Sequence, residues 1–437
     1  MQNRRKTEEK VFSYLEKYRL VQPGDKLILG VSGGADSVCL LFLSLEYRRR
    51  MDFEMAVVHV NHGLRGEEAE EDARYVEALC REKEICCYPV QGNVAELAAS
   101  ERCSVEDAGR RLRYRAFYQA MEELGGTKIA VAHNAGDRAE TMLLHLFRGS
   151  GLRGLTGIPP KRDGVIRPLL TTTRTQILEY LRIYSLPHVE DSSNTDDRFS
   201  RNHLRRHVVP LLREIDPWLE ERVGETAAVL RREDAYLDEL ARSRLTGSVP
   251  ELRRLPEALL PRVIQLLAER AGCPAVLTLA QRRAAVELVF GENPSAQISL
   301  PGHFTARREY DKLILGPSLE HVPWEPFPLA AGENRAGDCT LQVSAWTYQG
   351  EKPGKDCFYL RLGDYRLRPR QTGDRLRRPG RPERSVKRLM IDEKIPRLYR
   401  DRLPVLEGEG RAAAAAGLGQ DQSFLPQAGE ACWKIEL

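Results

Sequence analysis

The chain is 437 residues long, too long for one ordinary domain, so two or three domains with separate cores are expected. Lysine and arginine total 67 against 63 aspartates and glutamates, a net charge of only +4, which excludes a uniformly basic or acidic protein. Nine cysteines without a C-x-x-C pair, an N-terminus unlike a signal peptide and no apolar run near 18 residues argue against a zinc or iron–sulfur scaffold, secretion and a membrane span; a cytoplasmic protein is expected.

An amphipathic helix opens the chain (KVFSYLEKYRL) and stops at Pro23-Gly24. Strand KLILGV then leads into helix DSVCLLFLSLEYRRR, and strand EMAVVHV into helix EEAEEDARYVEALCREK. Strand ICCYPV precedes a helix over 105–124, and strand TKIAVA precedes helix AETMLLHLF. This alternation predicts an α/β domain with a doubly wound, mostly parallel, Rossmann-like sheet and helices on both faces. Ligands of such sheets bind beyond the carboxyl ends of the strands, where Ser32–Ser37, His59–Arg65 and His133–Glu140 fall.

After Gly149 a glycine- and proline-rich connection follows, then helix TRTQILEYLRIYSL, a polar loop EDSSNTDDRFSRN and helix RNHLRRHVVPLLREI. Asp216-Pro217 marks a boundary. The expected domains are an α/β domain over 1–216, a mainly helical one over 217–340 and a small β-rich one over 341–437. From Arg361 to Arg402 the chain carries 15 Lys/Arg against 6 Asp/Glu, a footprint for polyanions or a solvated face. RAAAAAGLGQDQS reads as a loose, low-complexity turn.

The stretch VSGGADS carries the chemistry. Backbone N–H groups at a helix start make a concavity for phosphate oxygens, and glycines let those oxygens approach closely. Ser32, Gly33, Gly34, Ala35, Asp36 and Ser37 are the expected polyphosphate-binding residues. A carboxylate beside polyphosphate repels it unless a cation lies between, so Asp36 points to Mg²⁺ bridged through the phosphates.

VSGGADS resembles the PP-loop of the N-type ATP pyrophosphatases, a superfamily that also includes synthetases and tRNA thiolases, and this resemblance implies that the polyphosphate is ATP. HVNHGLRGEEAEEDA, EDAGRRLRYRAFY, AHNAGDRAETMLLHLFRGSGLRGL, IRPLL, EDSSNTDDRFSRNHLRRHVVPLL and RLGDYRLRPRQTGDRL are similar to segments of the tRNA(Ile)-lysidine synthetase family, in its order. Gly136 departs from that pattern, which more often has an acidic or amide residue there. The resemblance implies that ATP adenylates the C2 oxygen of the wobble cytidine in a CAU anticodon. The ε-amine of L-lysine then attacks C2 and AMP leaves, so that the product reads AUA rather than AUG.

The expected site residues follow from this. His59 and His62 suit adenine or phosphate, although i, i+3 histidines after a strand also leave zinc or simple packing open. Asp137 and Glu140, i, i+3 at a helix start, face one point and suit the lysine ammonium; helix capping is the other reading. Asp36, Asp137, Glu140 and Arg205 are the expected catalytic residues. Arg113, Asn194, Arg201, Asn202 and Arg205 are expected to contact tRNA near the site, and Arg375, Arg377, Arg378, Lys387 and Arg388 to do so in the basic module. Arg110, Arg111 and Arg115 share the helix of Arg113. A PP-loop thiolase and an RNA-binding protein with a vestigial nucleotide site are the alternatives, and a homodimer is one of the oligomeric states the sequence allows.

Overall fold

The computed structural model describes residues 2–63, 67–189, 200–319 and 323–437. The chain forms two compact units, Met1–Tyr236 and Leu237–Leu437.

In the first unit, α1 (Gln2–Lys17), β1 (Lys26–Gly30), α2 (Ala35–Arg48), β2 (Glu54–Asn61), α3 (Glu67–Glu82) and β3 (Cys86–Gln91) follow the expected alternation. A short helix, α4 (Val94–Glu101), is additional; α5 (Val105–Glu123), β4 (Lys128–Ala130) and α6 (Ala135–Phe147) are as expected. The connection after Gly149 holds more than turns. A one-turn α7 (Leu152–Leu155) precedes a hairpin of β5 (Lys161–Arg162) and β6 (Val165–Ile166). Two-residue strands carry too little pattern to betray a period of two, yet β6 pairs in parallel with β4.

The sheet runs β3-β2-β1-β4-β6-β5, parallel except for its edge strand β5. Alternation along β1 divides the core: Leu27 and Leu29 join the cluster of α1, α2 and the later α8, whereas Ile28 packs with Ala116, Phe117 and Ala120 of α5. The chain order reverses between β1 and β4, and the crevice at that switch is where such sheets bind ligands. After β6 come α8 (Arg174–Ile183), α9 (Ser200–His203), a π-helical turn Leu204–Val208, α10 (Val209–Ile215) and α11 (Leu219–Ser243). Pro210 has no N–H to offer the carbonyl of Arg206, and the helix widens into the π turn just ahead of it.

The second unit begins with α12 (Val249–Leu252), α13 (Leu260–Arg270) and α14 (Leu279–Phe290), packed with the sheet β7 (Gln297–Leu300), β8 (Phe304–Glu309), β9 (Lys312–Pro317) around Leu252, Val263, Ile264, Val289 and Ala306. A second set of clusters follows. It is built from β10 (Phe327–Pro328), β11 (Gly332–Ala336), β12 (Cys339–Thr347), β13 (Cys357–Arg361), β14 (Arg366–Arg368), β15 (Arg375–Leu376), β16 (Arg384–Ser385), α15 (Val386–Asp392), β17 (Val405–Gly408), β18 (Arg411–Ala415), β19 (Gly419–Gln420) and β20 (Ala431–Glu436). The expected boundary at 340/341 falls inside β12, which pairs with both β11 and β20.

The alanine run corrects the sequence reading. Arg411–Ala415 is a strand between β17 and β19, and Ala412 to Ala416 are buried. Alanine has no intrinsic bias toward strands; tertiary packing selects it here, where small side chains fit between layers.

Candidate active site

From β1 the chain turns through Ser32-Gly33-Gly34 into α2. Gly33 has φ +92°, which residues bearing a Cβ rarely adopt, and its ideal Cβ position lies 3.4 Å from Val189. Gly34 is the N-cap of α2, and no side-chain oxygen caps that helix. Its first-turn N–H groups therefore face out toward the crevice, the arrangement that receives anions. The Ser37 hydroxyl donates to the Gly34 carbonyl at 2.8 Å and lies 3.2 Å from the Ser32 hydroxyl, which braces the turn.

His59 on β2 is 4% exposed, and its Nδ1 lies 3.0 Å from the Val31 carbonyl oxygen. A carbonyl only accepts, so Nδ1 carries a hydrogen. His59 thus pins the strand exit that launches the glycine turn. His62 is half-buried beyond the end of β2.

At the end of β4, Asn134 caps α6 in a reciprocal box: its Oδ1 accepts from the Asp137 N–H at 3.1 Å, and Asp137 Oδ2 accepts from the Asn134 N–H at 2.9 Å. The capping reading of Asp137 is therefore correct for one of its oxygens. The other, Oδ1, accepts from Arg201 and Arg205, each at 3.1 Å. Glu140, one turn along and only 3% exposed, accepts from Arg201 Nε at 2.9 Å and from Arg205 Nε and Nη2 at 2.6 and 3.0 Å. Two carboxylates on one helix face do converge on a point, and the chain's own guanidiniums occupy it. A carboxylate this deeply buried is stable only with a partner, which is why the arginines fold onto it.

The glycine turn and α6 form one site. Asp36 accepts from Arg174 Nη1 at 2.6 Å, and the nearby Asn134 side chain favours its charged form. Burial pushes the Asp36 carboxyl up, Arg174 opposes that rise and the Asp137 charge adds to it. His133, beside them, is held neutral. Burial drives its pKa down to about 4, Asp137 resists, and the charges of Arg167, Arg201 and Arg110 add to the depression. His133 and Asn134 fall in the strand-end segment His133–Glu140 of the sequence reading but carry no role there, and Arg174 escapes it altogether. N-x-x-D and T-x-x-Q boxes do mark both helix starts, but no pattern says that Arg174 turns toward Asp36.

The Asp36 carboxylate is a hard oxygen donor of the kind Mg²⁺ prefers. Among the described residues no three His, Cys, Asp or Glu gather around one point. A cation on Asp36 would complete its shell with phosphate oxygens and water, as Mg²⁺ does beside nucleotides.

The expected RNA-facing arginines divide. Arg113 is exposed on α5, and Arg110 stacks on Tyr114 with its guanidinium carbon 4.9 Å from the ring centre. Arg111 and Arg115 both pair with Glu101. Asn202 is half-buried on α9, next to Arg201; Asn194 lies outside the described residues. In the C-terminal module Arg375, Arg378 and Arg388 pair with Glu383, Glu393 and Asp392 at 3.1, 3.4 and 3.2 Å. Arg377 and Lys387 are exposed.

Two family descriptions match this chain: a PP-loop domain over residues 4–212 and a TilS substrate C-terminal domain over residues 365–437. A tRNA(Ile)-lysidine synthase of Geobacillus kaustophilus is 33% identical over 437 residues, covering 94% of this chain and 94% of its own. The chain belongs to the tRNA(Ile)-lysidine synthase family. It is an ATP-dependent C–N ligase that forms lysidine on tRNA(Ile). A second synthase of this family, from Geobacter sulfurreducens, is also 33% identical, over 91% of this chain and 90% of its own. A solved U34-tRNA thiolase from Methanococcus maripaludis shares 19% identity over 52% of this chain and 79% of its own, at a TM-score of 0.45. No helix among the described residues is long and apolar enough to cross a membrane.

Proposed function

We propose that the chain joins L-lysine to C2 of the wobble cytidine in the CAU anticodon of tRNA(Ile). The C2 oxygen attacks the α-phosphorus of ATP and pyrophosphate leaves; the lysine ε-amine then attacks C2, and the oxygen departs with AMP. The observation that carries this reading is the joining of two opposite subsites through one asparagine. The anion-receiving start of α2 carries Asp36, and Asn134 links Asp36 to α6, where Asp137 and Glu140 offer a buried cation site.

The glycine turn, Ser32 and Ser37 hold the phosphates, with His59 and His62 on the nucleotide side. Mg²⁺ held by Asp36 and phosphate oxygens would neutralise the leaving pyrophosphate. Asp137 and Glu140 take the lysine ammonium in exchange for Arg201 and Arg205, whose guanidiniums are then free for tRNA phosphate; Arg205 thereby couples RNA arrival to lysine binding. Arg113, Asn194 and Asn202 complete the RNA side. Arg375, Arg377, Arg378, Lys387 and Arg388 serve the tRNA body. All nine cysteines are free thiols, which suits the cytoplasm where tRNA and ATP meet.

The test separates the half-reactions. Pyrophosphate release from ATP and tRNA without lysine should survive Asp137→Asn and Glu140→Gln better than lysidine formation does. Equal loss of both would place these carboxylates in the ATP subsite.

A further inference from the structure

Arg174 is the first residue of α8, 138 residues along the chain from Asp36, yet its Nη1 lies 2.6 Å from Asp36 Oδ1. The Thr173–Gln176 capping box fixes the start of that helix independently of the arginine side chain. The Arg174 side chain is 48% exposed and spends one N–H on Asp36; among the described residues no other acceptor takes its remaining donors. Asp36 itself stands in the first turn of α2, whose N-terminal N–H groups no side chain caps.

We propose that Arg174 is a pyrophosphate-binding residue that serves as the place-holder cation on Asp36 before nucleotide arrives. This rests on the Mg²⁺·ATP reading above. Two cations cannot share one carboxylate oxygen at close range without repelling each other. Arg174 therefore yields Asp36 to Mg²⁺ and turns its fork of donors onto the β- and γ-phosphates, which lie beside the same helix start. In the adenylation step the bond from the α-phosphorus to the bridging oxygen breaks and its electron pair leaves with pyrophosphate, as the cytidine C2 oxygen bonds to the α-phosphorus. Charge grows on the departing oxygens, and a guanidinium placed there stabilises that change more than it stabilises bound ATP. Before ATP arrives, the same ion pair keeps the partly buried Asp36 charged and in place.

The two roles give opposite signs in one variant. Full-length wild type, Arg174→Ala and Arg174→Lys are titrated calorimetrically with MgCl₂ alone and with inorganic pyrophosphate at fixed Mg²⁺, with thermal melting as the control for folding. Arg174→Ala should bind pyrophosphate about ten- to a hundredfold more weakly, the worth of charge-assisted hydrogen bonds. It should bind Mg²⁺ alone at least as tightly as wild type, because the competitor for Asp36 is gone. Arg174→Lys should recover part of the pyrophosphate affinity. Pyrophosphate affinity within twofold of wild type in Arg174→Ala overturns the proposal. So does parallel weakening of both ligands without rescue by lysine, which would leave Arg174 only shaping Asp36. Failure of wild type itself to bind pyrophosphate with Mg²⁺ would overturn the underlying nucleotide reading instead.

Discussion

Replacing Glu140 with glutamine tests whether the carboxylate–guanidinium knot is an energetic unit. Glu140 is 3% exposed and accepts three hydrogen bonds from two cations. Glutamine keeps the shape, but it removes the charge and turns one acceptor into a donor that faces donors. Charge-assisted bonds are worth roughly 1.5–3 kcal/mol each and neutral ones roughly 0.5–1.5, while breaking a buried ion pair costs roughly 3–5 kcal/mol. The partner side chains are 32% and 43% exposed, so water recovers part of that loss. The expected destabilisation is about 2–3 kcal/mol by urea unfolding of the first transition. Arg205→Gln in the Glu140→Gln background should cost much less than in wild type, giving a coupling of at least ~1.5 kcal/mol. A Glu140→Gln effect below ~1 kcal/mol, or additive single variants, would refute the argument that burial makes this pair depend on each other.

Asp36→Asn should leave melting near wild type and abolish pyrophosphate release at ordinary Mg²⁺; wild-type turnover would overturn the proposal that Asp36 holds Mg²⁺. His133 has a folded pKa of about 4 against the ordinary 6.5, so between those values the unfolded chain binds more protons and stability falls as pH drops through the window. That loss amounts to roughly 3 kcal/mol; His133→Gln should flatten the pH dependence of unfolding between pH 4 and 6.5, and an unchanged slope would assign the loss to other groups. Removing two exposed cations, Arg377→Ala with Lys387→Ala, should weaken tRNA binding and reduce the log–log salt slope by roughly 1.5. Arg375→Ala should change the slope less, because Glu383 already neutralises Arg375.

The sheet of the first unit is legible because each of its long strands is an apolar run closed by turn residues, and each following helix carries its own periodicity. The glycine turn is legible for a sharper reason: Gly33 occupies a conformation only glycine takes easily, and a carboxylate follows it. Side-chain partnerships across the fold leave no such trace. Asp137 and Glu140 are readable as a pair from their spacing, but nothing in that spacing announces that Arg201 and Arg205 close over them. Arg174 reaches Asp36 from 138 residues away only because α8 packs beside α2. The basic block shows the same limit in reverse. Counted as sequence it is strongly positive, yet Arg368, Arg370, Arg375, Arg378, Arg384 and Arg388 are paired with acids once folded.

The most direct measurement of the central claim incubates the full-length protein with ATP, Mg²⁺, radiolabelled lysine and two tRNA(Ile) transcripts that differ only at the wobble base. With cytidine at that position, the label should enter the RNA, AMP and pyrophosphate should appear in equal amounts, and the modified nucleoside should have the mass of cytidine plus lysine less water. With uridine there, no label should enter. Label entering both transcripts, or AMP release without lysine in the RNA, would contradict the account.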